Sequence, residues 1–249
     1  MVSSTNSASS GDYEDEISSP IQSVISEFGQ LPLAGTTVAN QSHLDASPDT
    51  LLAMVLDVIV KSRPISHNLT QKTINHLLDE GYHHIDILAT TTWEERTKVL
   101  EEGGYNRYRE QCATYLGSLS DIVVNKYGMS RSIGNAFAPY YDGMLRYGLL
   151  DGDLNNLLQS AHGDREEVRT LMKEFKGVGD LGVELFFNNV QSVWPSIAPF
   201  LDSRSLQTAE EIGIGGDLNA IYGALGKEPE QMSLLANGLS TVRLEKKKV

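Results

Sequence analysis

The segment Phe175-Lys176-Gly177-Val178-Gly179-Asp180-Leu181-Gly182 separates two runs of apolar residues at helical spacing. Val168, Leu171, Met172 and Phe175 precede its Gly-Val-Gly, and Leu181, Leu185, Phe186 and Val190 follow. Gly-Val-Gly is too short for an ordinary loop but suits a tight reversal. Glycine takes φ > 0 without steric cost, and Val178 can tuck between the two helices. The reading is a helix, a hairpin turn and a second helix across 166–190. A helix that starts directly after the turn presents backbone N–H groups without intrahelical partners, and such groups can hold a phosphate.

Around this hairpin the chain reads as all-α. Ser19-Pro20 predicts a helix start, followed by Ile21, Val24, Ile25 and Phe28 on one face, while 30–47 reads as loop. Leu51, Leu52, Val55, Val58 and Ile59 form a stripe, and Ala53, Met54, Leu56 and Val60 fill most of the remaining surface. A helix apolar nearly all round belongs at the centre of a bundle. It stops at Lys61-Ser62-Arg63-Pro64, because proline disfavours helix at the residue before it. Helices are expected at 69–79, 83–89 and 92–102, and then along a stripe from Tyr105 and Tyr108 through Cys112, Tyr115, Leu116 and Leu119 to Ile122 and Val123. Tyr141, Met144 and Leu145, then Leu154, Leu157 and Leu158, suggest two more around Gly148–Gly152. Beyond the hairpin, Trp194-Pro195-Ser196-Ile197-Ala198-Pro199-Phe200-Leu201-Asp202 is an extended link. Helices resume with Leu206, Ala209 and Ile212, then near 216–225 and 228–240. The domain expectation is a disordered acidic, Ser-rich tail over 1–18, one helical domain over 19–245, and a basic tail over 246–249.

Composition narrows the function. The chain has 249 residues and a net charge of −13, with a mean hydropathy of −0.24. That is soluble globular composition, with no apolar run approaching the ~18 residues of a membrane span. The absence of a secretory signal predicts an intracellular protein, nuclear if the source is eukaryotic and cytoplasmic otherwise. Cys112 is the single cysteine, so intramolecular disulfides and multi-cysteine metal or iron–sulfur sites are excluded. The histidines show no ligand spacing, and no metal site is expected. The acidity argues against indiscriminate nucleic-acid binding, which rests on Lys and Arg neutralising phosphates. Part of it sits in Asp12-Tyr13-Glu14-Asp15-Glu16, away from any expected core.

Four segments in order resemble the helix–hairpin–helix (HhH-GPD) DNA glycosylases of the endonuclease III-like superfamily. Leu51 to Leu56 running into Ser62-Arg63 looks like the family's central helix and lesion-side corner. Gly104-Tyr105-Asn106 before a long helix looks like its Gly-x-Tyr segment. Phe175-Lys176-Gly177-Val178-Gly179 is similar to its Leu-Pro-Gly-Val-Gly hairpin. Ile197-Ala198 through Leu201-Asp202-Ser203-Arg204 resembles its Gly/Pro and Val-Asp-Thr-His segment. The resemblance implies an enzyme of base excision repair that acts on double-stranded DNA. Lys176, Gly177, Val178, Gly179, Ser62, Arg63 and Arg204 would contact DNA, and Asp202 would be the catalytic carboxylate. Read without the family, Asp202 is a helix N-cap.

Departures from the family pattern refine the expectation. The position of the lyase nucleophile, two residues after the second hairpin glycine, is Leu181, which implies a monofunctional glycosylase without AP-lyase activity. A subgroup lacking both the iron–sulfur cluster of many family members and the lysine that serves as this nucleophile resembles the chain more closely. No cofactor is implied beyond a possible monovalent cation at the hairpin. Asp180 beside the hairpin amides opposes a phosphate. The alternative is a catalytically inactive helix–hairpin–helix module that binds DNA or protein.

Overall fold

The computed structural model describes residues 10–40, 44–128 and 151–245. Among them there are twelve α-helices and no strand, so the all-α expectation holds. They fall into two compact units, Met1–Pro32 with Phe187–Val249, and Leu33–Phe186.

In the Leu33–Phe186 unit the central element is α2 (Pro48–Lys61). Ser47 accepts from the Thr50 amide, Pro48 sits at the first turn, and Asp49 adds an acid there. Each of these favours a helix start. Every residue from Thr50 to Val60 is buried, including Asp57, whose charge is met by Lys61 at 2.8 Å. α3 (His67–Asp79) and α6 (Arg109–Tyr127) pack on α2. α4 (Ile85–Thr90) and α5 (Trp93–Glu102) pack on α6, the latter started by a full capping box of Thr92 and Glu95. α7 (Asn155–Ser160) and α8 (Arg165–Met172) lead to the hairpin, and α9 (Asp180–Val190) follows it. The division between units falls inside α9, after Phe186.

The other unit contains α1 (Ser10–Phe28), the end of α9, α10 (Ser203–Glu211), α11 (Leu218–Ala224) and α12 (Pro229–Glu245). Ile21 and Val24 of α1 join Leu201, Ala209, Ile214, Ile221, Leu225, Met232, Leu235, Ala236 and Leu239 in one core. α1 and α12 lie close because position 238 has no side chain: a methyl on Gly238 would stand 2.9 Å from Val24 Cγ1.

Three boundaries differ most from the sequence reading. α1 starts at Ser10 and continues through Pro20, nine residues before Ser19. Its Ser- and acid-rich beginning carries no apolar period to announce a helix. α6 starts at Arg109, so Tyr105 and Tyr108 precede it; Gly104 turns the chain at φ +91° just before them. Tyr105 is instead buried by tertiary contact, its hydroxyl donating to the Val60 carbonyl at 2.9 Å. α12 runs on to Glu245, past the expected 240. Tyr141, Met144, Leu145 and Gly148 lie outside the described residues.

Candidate DNA-contact hairpin and the Asp202 cap

α8 is capped at its start by Asp164, which accepts from the Glu167 amide at 2.8 Å. After it, Phe175 is buried against Tyr127, ring centroids 6.3 Å apart. The Val178 amide donates to the Phe175 carbonyl at 3.0 Å and closes a four-residue turn with Gly177 at φ +91° in its third position. This geometry calls for glycine there. Space demands it as well, because a methyl on Gly177 would stand 2.6 Å from Cδ2 of Tyr115. Val178 is 5% exposed, as a residue tucked between helices should be. Gly179 accepts the first hydrogen bond of α9, from the Val183 amide at 3.0 Å. Gly179, Asp180 and Leu181 are exposed, so the first turn of α9, where amides lack intrahelical partners, faces solvent.

The Ser62–Arg63 corner packs against α9. The Ser62 hydroxyl donates to the Val58 carbonyl at 2.6 Å, finishing α2. Gly182 of α9 sits directly on it: a methyl there would lie 3.1 Å from Ser62 Oγ and 3.1 Å from Val58 Cγ1. Arg63 donates through Nη2 to the Tyr115 hydroxyl at 2.9 Å. Its guanidinium carbon lies 5.5 Å and 5.8 Å from the ring centres of Tyr115 and Tyr108. Tyr115 therefore touches both Arg63 and Gly177. Arg63, expected to contact DNA, is half-buried and held between two aromatic rings.

Lys173 and Asp180 form an ion pair across the mouth of the hairpin. A hydrogen bond from Lys173, then its charge, keeps the Asp180 carboxyl below the usual carboxylate range. Lys176 is exposed. Beside the corner, Arg107 lies over the Tyr108 ring at 5.1 Å, at a recess of about 350 Å³ lined by Asn106 to Gln111. Arg107, Tyr108, Tyr115 and Lys173 were not singled out as site residues from sequence. The alternation Tyr105-Asn106-Arg107-Tyr108-Arg109 was the available signal for two of them.

Asp202 belongs to the other unit. Trp194 is buried, Pro195–Ile197 forms a 3-10 turn, and the Ala198–Pro199 peptide is cis. Gln191 fixes the link by donating to the Phe200 carbonyl and accepting from the Phe200 amide, both at 3.0 Å. Asp202 then caps α10: Oδ1 accepts from the amides of Arg204 at 3.0 Å and Ser205 at 3.1 Å. Oδ2 accepts from Asn188 Nδ2 at 2.6 Å and from the Ser205 hydroxyl. The Asp202 amide donates back to Asn188 Oδ1 at 3.0 Å. Arg243 Nη1 stands 3.8 Å from Oδ1, and burial lowers the Arg243 guanidinium from its ordinary pKa while Asp202 opposes the shift. Asp202 is 1% exposed. Its acceptor sites are filled by protein donors, so in this arrangement it is a structural cap. Arg204, next along, is exposed.

Cys112 is buried and its thiol is pushed up to about 12 by burial, which leaves it protonated and unreactive at neutral pH. Among the described residues no three His, Cys, Asp or Glu side chains are grouped to hold a metal ion. No described helix is long and apolar enough to cross a membrane. No family model, curated protein or solved structure matches the chain.

Proposed function

We propose that this chain is a DNA-binding helix–hairpin–helix protein built on the plan of the monofunctional DNA glycosylases. It holds duplex DNA by a backbone phosphate at Gly177–Gly179, with Lys176 supplying charge and the Ser62–Arg63 corner flanking the contact. The observation that carries this reading is the exposed first turn of α9, reached through a turn only glycine can make and seated by Gly182 on Ser62. Exposed amides at a helix start are an anion site that needs no further chemistry.

Base excision on this plan requires extruding a nucleotide and stabilising positive charge on its sugar, and Asp202 is the carboxylate assigned to the second task. Leu181, 37% exposed at the first turn of α9, cannot form a Schiff base, so the product would be an abasic site on an intact strand. One observation favours a second reading, a binding module without chemistry. A carboxylate 1% exposed, with both oxygens occupied by protein donors, touches no substrate unless its surroundings open.

The deciding experiment is single-turnover incubation with duplexes carrying uracil, alkylated purines, oxidised bases or mispaired adenine, read with and without alkali. Strand breaks only after alkali, lost in Asp202→Asn, support excision. Binding without product on every duplex supports the module. A break without alkali refutes the argument from Leu181.

A further inference from the structure

The hairpin carries its own anion. Lys173 ends α8, Asp180 opens α9, and their side chains meet across the turn that separates them. The pair is open to solvent, with Lys173 41% and Asp180 77% exposed. Exposed pairs of this kind are weak and exchange readily. Asp180 is nonetheless ionised throughout the neutral range, since Lys173 holds its carboxyl below the usual carboxylate value. Lys176, three residues further along, has no carboxylate partner among the described residues. The turn thus presents one available ammonium and one already engaged.

We propose that Asp180 is a built-in competitor for phosphate, and that Lys173 is a phosphate-binding residue held in check by it. This rests on the hairpin reading above and adds to it the partner exchange that sets affinity. In the free protein Asp180 occupies Lys173 and repels an incoming phosphodiester from the amides of α9. On binding, the Lys173 ammonium passes from the carboxylate to a phosphate oxygen, a charge-assisted bond of the same kind. Because one anion replaces another on Lys173, that residue adds little to wild-type affinity or to its salt dependence. The hairpin is thereby tuned for a weak, easily released hold on DNA.

The test is fluorescence anisotropy of a short lesion-free duplex with the full chain, titrated from low salt to well above physiological salt. Asp180→Asn should bind about tenfold more tightly at low salt, with a salt slope steeper by ~0.9 because Lys173 then neutralises a phosphate without leaving behind a carboxylate that takes up a cation in exchange. Adding Lys173→Gln to Asp180→Asn should return both quantities to near wild type. The proposal is overturned if Asp180→Asn binds with wild-type affinity and slope. It is equally overturned if the gain survives in the double variant, since simple loss of repulsion would then explain it. Lys176→Gln separates this inference from the reading beneath it. If it weakens wild-type binding, the hairpin reading stands whatever Asp180→Asn does. If wild type and Asp180→Asn both fail to bind at low salt, the hairpin reading falls and the inference with it. Thermal midpoints of each variant confirm that folded proteins are compared.

Discussion

Replacing Asp202 by alanine should destabilise its unit, whatever it does to chemistry. The carboxylate accepts from two backbone amides of α10, from Asn188 and from Ser205, at a site 1% exposed. Losing an N-cap costs ~1 kcal/mol. Asn188 is 2% exposed, so its amide is not hydrated well once the acceptor is gone, whereas the Ser205 hydroxyl can turn to Ser240 Oγ at 3.2 Å. A buried donor left without a partner costs about 1–3 kcal/mol. Arg243 loses its counter-charge as well. The sum of the cap and the Asn188 donor is ~2–4 kcal/mol, against the ~5–15 kcal/mol total stability of a typical domain. Asp202→Asn should cost roughly half as much, since its carbonyl still caps α10 while its NH₂ faces donors. Urea denaturation followed by circular dichroism, with slopes compared to exclude a changed unfolded state, measures both. A cost below ~1 kcal/mol for Asp202→Ala would refute the view of Asp202 as a filled structural cap. It would also return the residue to the list of groups free to meet a substrate.

Two further outcomes can be checked. Gly177→Ala places a methyl 2.6 Å from Tyr115 on a residue at φ +91°, and should destabilise the protein by about 2–4 kcal/mol in thermal or urea unfolding while weakening duplex binding in the same anisotropy assay. His83 is lowered from its ordinary value of 6.5 by burial first and by neighbouring His84 second, its ring centre 4.0 Å from that of His84. A histidine whose folded pKa is depressed is favoured neutral, so the unfolded chain takes up the proton first. Stability should therefore fall as pH drops below 6.5 and level off below the folded value, and His83→Gln should flatten that slope in urea midpoints measured across the range.

The two features clearest in the sequence were those with local causes. A turn with glycine at 177 and 179 between helical stripes, and the almost wholly apolar run from Leu51 to Val60, could be read because spacing and residue type together determine such elements. The start of α1 was misplaced because Ser and acidic residues carry no apolar period, and the start of α6 because Tyr105 and Tyr108 share its period without sharing its helix. What could not be read was pairing at a distance. Arg63 reads as a corner residue that contacts DNA, but its partner Tyr115 lies 52 residues away. Asp202 was recognised as a cap, yet nothing near it announced that Asn188, 14 residues earlier, would occupy its second oxygen. The Lys173–Asp180 pair joins residues whose separation is short but whose meeting depends on how tightly the turn closes. Local pattern placed the glycines, and the closed turn determined which charges met.

The packing of α1 on α12 has a consequence for synthesis. Within that unit Asn237 donates to the Gln30 carbonyl across 207 residues of sequence, and Ile21 and Val24 find their apolar neighbours at Met232, Leu235 and Leu239. At the ~5–20 residues per second of a translating ribosome, the first helix waits on the order of 10–40 s for the last one to be made. During that interval its apolar stripe has no native counterpart. The apolar face of the first helix is therefore buried only after translation of the last helix, and the core of this unit closes late.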